Sequence, residues 1–203
     1  MNEYLFNYIM ARLIDDKKLD RIKNATLEMV VTNGYGGASI SKIAKNAGVA
    51  EGYLYRFYSS KNELVNDLLF TNVDELANKI ESLLDELHSV WEIFEHLIRS
   101  LINMAKHQPD RIKFLFVLMH DYNFNLVESQ RERIFELCKR IKEIGLSKNQ
   151  LRQGVTEEEI YLVGVTYPIQ FINLRLKSFF NQTNLGEKEI NEVLTLCINS
   201  LKQ

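Results

Sequence analysis

Gly48 stands between two short stretches that each offer a single apolar face, and this restricts the chain more than any other feature. Before it, Ile40, Ile43, Ala44 and Ala47 recur at helical spacing behind Ser39, whose hydroxyl suits an N-cap. After it, Val49, Leu54, Phe57 and Tyr58 make an inward face and leave Glu51, Gly52, Tyr53, Tyr55 and Arg56 pointing outward. A helix that must stop there needs the left-handed conformation, which glycine adopts most cheaply. Two short helices joined by such a turn form a helix-turn-helix, which offers its second helix to a DNA major groove. That second helix is expected over 50–58.

The rest of the chain also reads as helix. Two prolines and nine glycines in 203 residues leave few places to break one. A helix over 16–32 should precede the motif, with Ile22, Thr26, Met29 and Val30 inward, Leu19 and Ala25 alongside, and Asn33-Gly34 as its stop. Ser59-Ser60 should cap the next helix, Ser60 and Glu63 having the spacing of a capping box. Its apolar stripe runs on from Leu64 to Leu87. Ser89 with Glu92 and Thr156 with Glu159 repeat that capping signature. Pro109 should break one helix and Asp110 cap the following one; another should run over 127–144 and end at Gly145. The apolar segment 160–180 contains Pro168, which should kink or divide it. A last helix over 187–201 turns Ile190, Val193, Leu194, Cys197, Ile198 and Leu201 inward. Residues 1–15, with Leu5, Ile9 and Leu13 in register, are expected to add an amphipathic helix in front of the motif.

The net charge of −2 hides an asymmetry. Between residues 16 and 64 there are eight Lys or Arg against five Asp or Glu, a surplus of three, so the remainder carries −5. A basic portion on an acidic body fits a local nucleic-acid footprint. No apolar run approaches the roughly 18 residues of a spanning helix, and Glu3 without an early basic cluster argues against a secretory signal. Cys138 and Cys197 are isolated in helical patterns, as buried free thiols of a reducing cytoplasm would be. His88, His96, His107 and His120 do not cluster, and no Ser/His/Asp arrangement, P-loop or dinucleotide fingerprint occurs. No metal, cofactor or catalytic centre is therefore expected.

The residues Gly34-Tyr35, Ser39, Ile43-Ala44, Ala47-Gly48-Val49, Gly52, Leu54-Tyr55, Phe57-Tyr58, Lys61 and Leu64 resemble, in register, the N-terminal DNA-binding domain of the TetR family of bacterial transcriptional regulators. Beyond this first third the resemblance lies in length and helical character alone. It implies an all-α chain: a three-helix helix-turn-helix domain over 16–64 and a larger helical domain over 65–203 for effector binding and dimerisation. It also implies that Ser39, Tyr55 and Lys61 hold DNA phosphates. Ala50 departs from the pattern, which commonly has Ser or Thr there; losing that cap should cost about 1 kcal/mol.

The residue types extend this assignment. Glu51 suits a cytosine amino group, Arg56 a guanine or a phosphate, and Tyr53 a thymine methyl or a phosphate, while Gly52 permits close backbone approach. Lys42 adds a cation to the same surface. In the body, Trp91, Phe94, Phe116, Met119, His120, Tyr167 and Phe171 are the expected lining of a pocket for a small apolar or amphipathic effector. One recognition helix covers only a half-site, so a homodimer on a near-palindromic operator is expected. Its interface should come from 156–180 and 187–201, whose apolar surface exceeds one inward face. The overall expectation is a cytoplasmic, ligand-released repressor. The rival is a helical interaction protein that uses the same motif for protein contacts.

Overall fold

The computed structural model describes residues 3–86 and 88–202, with side chains from Asp16 onward. It is all-helical, and its described residues form two compact units. The first contains residues up to 69 together with 117–125; the second contains 70–116 and the rest of the chain from 126. The first unit therefore reaches past the expected boundary at 64 and takes in a stretch far away in sequence.

In the first unit, α1 (Glu3–Gly37) runs through the expected extension and into the motif. It is interrupted only at Gly34, whose φ of 72° and ψ of 166° are non-helical. The side chains of 1–15 lie outside the described residues. α2 (Ile40–Ala47) begins at Ser39, whose Oγ accepts from the Lys42 amide at 3.3 Å. It ends at Gly48, with φ 65°. There the Gly48 amide donates to the Lys45 carbonyl and the Val49 amide to the Ala44 carbonyl, at 3.2 and 3.0 Å, which is a Schellman turn. Ile22, Ala25, Ile40, Ile43, Ala44, Ala47, Leu54, Tyr58 and Leu64 close the core of this unit. Met29, expected inward, is only half-buried at its edge.

Several expected boundaries move, each for a local reason. α3 (Glu51–Leu54) is one turn long. Beyond it the Phe57 amide bonds to the Leu54 carbonyl at 2.9 Å, a tighter i→i+3 closure than an α-helix makes. α4 (Lys61–Asp85) is capped by Ser60, whose Oγ accepts from the Glu63 amide at 3.1 Å. The Glu63 carboxylate reaches back to the amide and hydroxyl of Ser59, not of Ser60, so the expected box is displaced by one residue. Those two bonds hold the Glu63 carboxyl below the usual range.

The second unit contains the rest of α4, then α5 (Val90–His107), which starts from the complete Ser89–Glu92 capping box. α6 (Pro109–His120) begins one residue before Asp110. Pro109 occupies the first helical position, where a missing N–H costs nothing, and Asp110 pairs with Lys113 at 2.8 Å instead of capping. α7 (Glu128–Ser147) runs straight through Gly145. Its stop is Asn149, φ 53°, where the amides of Asn149 and Gln150 bond back to the carbonyls of Leu146 and Gly145. Gly145 is instead a packing residue: a Cβ there would lie 2.4 Å from the Leu151 side chain and 2.8 Å from Val90 Cγ2.

α8 (Glu157–Tyr161) opens on the Thr156–Glu159 box and passes into a π-helical turn, Leu162–Thr166, before α9 (Tyr167–Leu176). Pro168 thus divides the segment as expected, and the mechanism is visible. The Tyr167 amide donates five residues back, to the Leu162 carbonyl. In that register the Val163 carbonyl would face the nitrogen of Pro168, which has no hydrogen. The Cys197 thiol donates to it instead, at 3.2 Å. The helix does not reach residue 180: Ser178, φ 50°, ends it with a second unglycined Schellman turn, the Phe179 amide bonding to the Leu174 carbonyl. α10 (Glu187–Leu201) has the expected bounds, and all six expected inward residues are buried. α10, α9 and the π turn pack on α5. Among the described residues no helix is long and apolar enough to cross a membrane.

Candidate nucleic-acid interface

The outward face of the helix-turn-helix is set by what its inward face buries. Leu54 is fully buried and Tyr58 nearly so, its hydroxyl donating to Asp67 at 2.8 Å. Burial, then that bond, pushes the Tyr58 phenol well above its ordinary range, so it stays a neutral donor. One helical turn anchored this way leaves Glu51, Gly52, Tyr55 and Arg56 exposed together. Tyr53 is half-buried against the core and Phe57 lies at the rim. A Cβ built on Gly52 meets nothing within 4 Å, so the chain itself does not require glycine there. Ala50 makes no side-chain cap bond, as the departure from the family pattern implied.

The other expected DNA contacts prove to be engaged within the chain. Ser39 accepts the Lys42 amide, and Lys42 Nζ donates to the Gly37 carbonyl at 3.1 Å. Lys61 Nζ donates to the carbonyls of Tyr35 and Ala38 at 2.8 and 3.1 Å and lies 4.1 Å from the Tyr35 ring centre. It closes the turn between α1 and α2, and one of its three N–H bonds remains for a phosphate.

Sequence reasoning missed the part played by 117–125. Within the first unit, Asp121 accepts the Gly36 amide, Phe124 meets the Tyr35 ring edge-on at 5.2 Å, and Asn66 donates to the Asn125 carbonyl at 3.1 Å. No local pattern marks these residues, because their partners lie far away in the chain. Lys18 was also missed; its Nζ is 5.0 Å from the Tyr53 ring centre.

The expected effector-pocket residues fall in both units. Met119, half-buried, and His120, exposed, belong to the first unit; the other five belong to the second. Phe94 is fully buried under the Gly164 backbone, where an added Cβ would come within 3.1 Å of its ring. Trp91 is exposed, with Lys202 Nζ 6.0 Å from its ring centre. Phe116, Tyr167 and Phe171 are half-buried; Lys177 lies over the first and Arg175, at 4.8 Å, over the third. The outer face of α10 carries a shallow open groove of Lys188, Asn191, Glu192, Thr195 and Leu196. Leu162, Phe179, Phe180 and Leu196 are exposed apolar side chains of the same unit.

Comparison with known proteins agrees with this geometry. The family model of bacterial regulatory proteins, tetR family, matches residues 22–68. The fatty acid metabolism regulator protein of Bacillus subtilis is 26% identical over 145 residues, covering 70% of this chain and 68% of its own. A TetR family transcription regulator from Marinobacter aquaeolei superposes with a TM-score of 0.73 at 18% identity, over 94% of this chain and 98% of its own. The regulator FadR of Bacillus subtilis, solved in complex with stearoyl-CoA, superposes with a TM-score of 0.65 at 19% identity, over 89% and 98%.

Proposed function

Since the chain belongs to the TetR family of bacterial transcriptional regulators, and so is a DNA-binding regulator, we propose that it is a repressor acting in the cytoplasm as a homodimer on a near-palindromic operator. The carrying observation is the single helical turn of α3, pinned by Leu54 and Tyr58, that leaves Glu51, Gly52, Tyr55 and Arg56 exposed side by side. One such turn reads a half-site, so two copies are needed for a full one. The exposed apolar side chains Leu162, Phe179, Phe180 and Leu196 support pairing through the last helical segments, where a second copy would cover them.

A small apolar or amphipathic effector would release the operator by binding more tightly to the conformation that does not fit DNA. The aromatic second unit supports that ligand class, as does the stearoyl-CoA bound to FadR of Bacillus subtilis, an amphipathic molecule. The test is a gel shift with the DNA flanking the chain's own gene, with and without excess unrelated duplex. Specific retention that added stearoyl-CoA or a related acyl compound abolishes supports the whole reading. Retention that competitor removes completely at every protein concentration overturns the operator.

A further inference from the structure

Arg56 is exposed, but its position is not left to chance. Its guanidinium carbon lies 5.3 Å from the Tyr53 ring centre and 5.6 Å from that of Phe57. The two rings stand 5.2 Å apart at 57°. Positions 53, 56 and 57 are three and four apart, and the tight turn that continues α3, with the Arg56 amide on the Tyr53 carbonyl at 3.3 Å, brings the three side chains together. The flexible arginine stem is thereby ordered before any ligand arrives, which lowers the ordering cost of binding.

The Tyr53 ring also carries a second cation, from a different helix. Lys18 Nζ on α1 sits 5.0 Å from its centre. Among the described side chains, neither Lys18 nor Arg56 forms an ion pair with a carboxylate. Two like charges drawn to one ring repel each other, and a polyanion relieves that repulsion. The two DNA groups that Arg56 suits make different demands here. A guanine edge is satisfied by one bidentate guanidinium and leaves the ammonium unused. A phosphate, with its several acceptor oxygens, takes donors from both.

We propose that Arg56 and Lys18 form a clamp for one DNA backbone phosphate, and that Tyr53 and Phe57 are the positioning residues that hold it. This rests on the DNA-binding reading above and revises the role of two residues within it. Arg56 and Tyr53 leave base readout, and sequence choice falls to Glu51 and its neighbours on the exposed turn.

The experiment selects random-sequence duplexes with the full-length parent chain and with Arg56→Ala, Lys18→Ala and Phe57→Leu, then measures affinity for the selected duplex across a salt series. Arg56→Ala and Lys18→Ala should each flatten the slope of log affinity against log salt by about one while enriching the same consensus as the parent. Phe57→Leu, which keeps the cation and removes a ring, should leave slope and consensus alone and weaken binding roughly 2–5-fold. A consensus relaxed at one base position by Arg56→Ala, with the slope unchanged, overturns the clamp and makes Arg56 a base reader. Unchanged affinity in Arg56→Ala or in Phe57→Leu overturns it as well. A parent that binds duplexes but enriches no consensus would sink the operator reading, while the salt slopes would still decide the clamp. A parent that binds no duplex at low salt overturns both.

Discussion

The Asp121 carboxylate accepts a hydrogen bond from the Gly36 amide at 3.3 Å, joining a residue just past α6 to the turn that leads into the helix-turn-helix. It also accepts the Asn123 amide at 2.9 Å. The Asn123 bond, the largest influence, and the weaker Gly36 bond hold the Asp121 carboxyl below its ordinary range against the opposing effect of burial. A folded-state pKa lower than the unfolded value of about 3.9 adds stability above that value, lost as pH falls through the folded one. Urea denaturation of the parent and Asp121→Asn should therefore differ most near neutral pH, with the gap closing in acid. A gap of the same size at every pH would mean that the charge plays no part.

Lys61→Ala should lower stability and DNA affinity together, because the ammonium closes the turn between α1 and α2 through Tyr35 and Ala38. Bonds from a charged donor are worth roughly 1.5–3 kcal/mol. Tyr55→Ala, at an exposed position, should lower affinity for all DNA sequences and leave the melting temperature nearly unchanged. Thermal melts beside salt-dependent binding curves separate the two; equal melting temperatures for both variants would remove the structural role assigned to Lys61.

Two glycine substitutions should act in opposite directions. Gly145→Ala forces a methyl group into the Leu151 and Val90 side chains and should cost about 1–3 kcal/mol of overpacking in chemical denaturation. Gly52→Ala meets open space and should stabilise the fold by up to about 1 kcal/mol. If the Gly52 backbone approaches DNA closely, the same change weakens operator binding; a more stable protein with undiminished affinity would place that backbone away from the duplex.

Cys197→Ala should leave the Val163 carbonyl without the donor that replaces the missing Pro168 hydrogen. An unsatisfied buried acceptor costs about 1–3 kcal/mol. Its thiol is pushed up to about 12 by burial, so it remains a protonated donor across the usual pH range. Cys197→Ser should lose less than Cys197→Ala. Pro168→Ala restores an N–H to the helix, so the double variant should fall short of the sum of the two single losses. Strict additivity would show that the thiol and the π turn are independent.

Much of the fold was legible because its determinants are local. The capping boxes at Ser89 and Thr156, the N-cap at Ser39 and the left-handed Gly48 each depend on residues within a turn of one another, so spacing alone reveals them. The boundaries that moved have other causes. Asn149 and Ser178 end their helices in the conformation that glycine usually supplies. Gly145 lies inside a helix, where Leu151 and Val90 occupy the space a side chain would need. Neither fact is visible in a string of residue types.

The sequence by itself determined that this chain is helical, that Gly48 separates two short helices, and that Glu51, Gly52, Tyr55 and Arg56 share an outward turn, since periodicity and turn chemistry act over a few residues. Only the tertiary structure decided what else belongs to that unit. Asp121 and Phe124 join the turn at Gly36 and the ring of Tyr35, Asn125 joins Asn66, and Lys18 and Arg56 each lie over Tyr53. Such pairings arise when distant segments are folded against each other, and no local pattern encodes which distant partner a side chain will find.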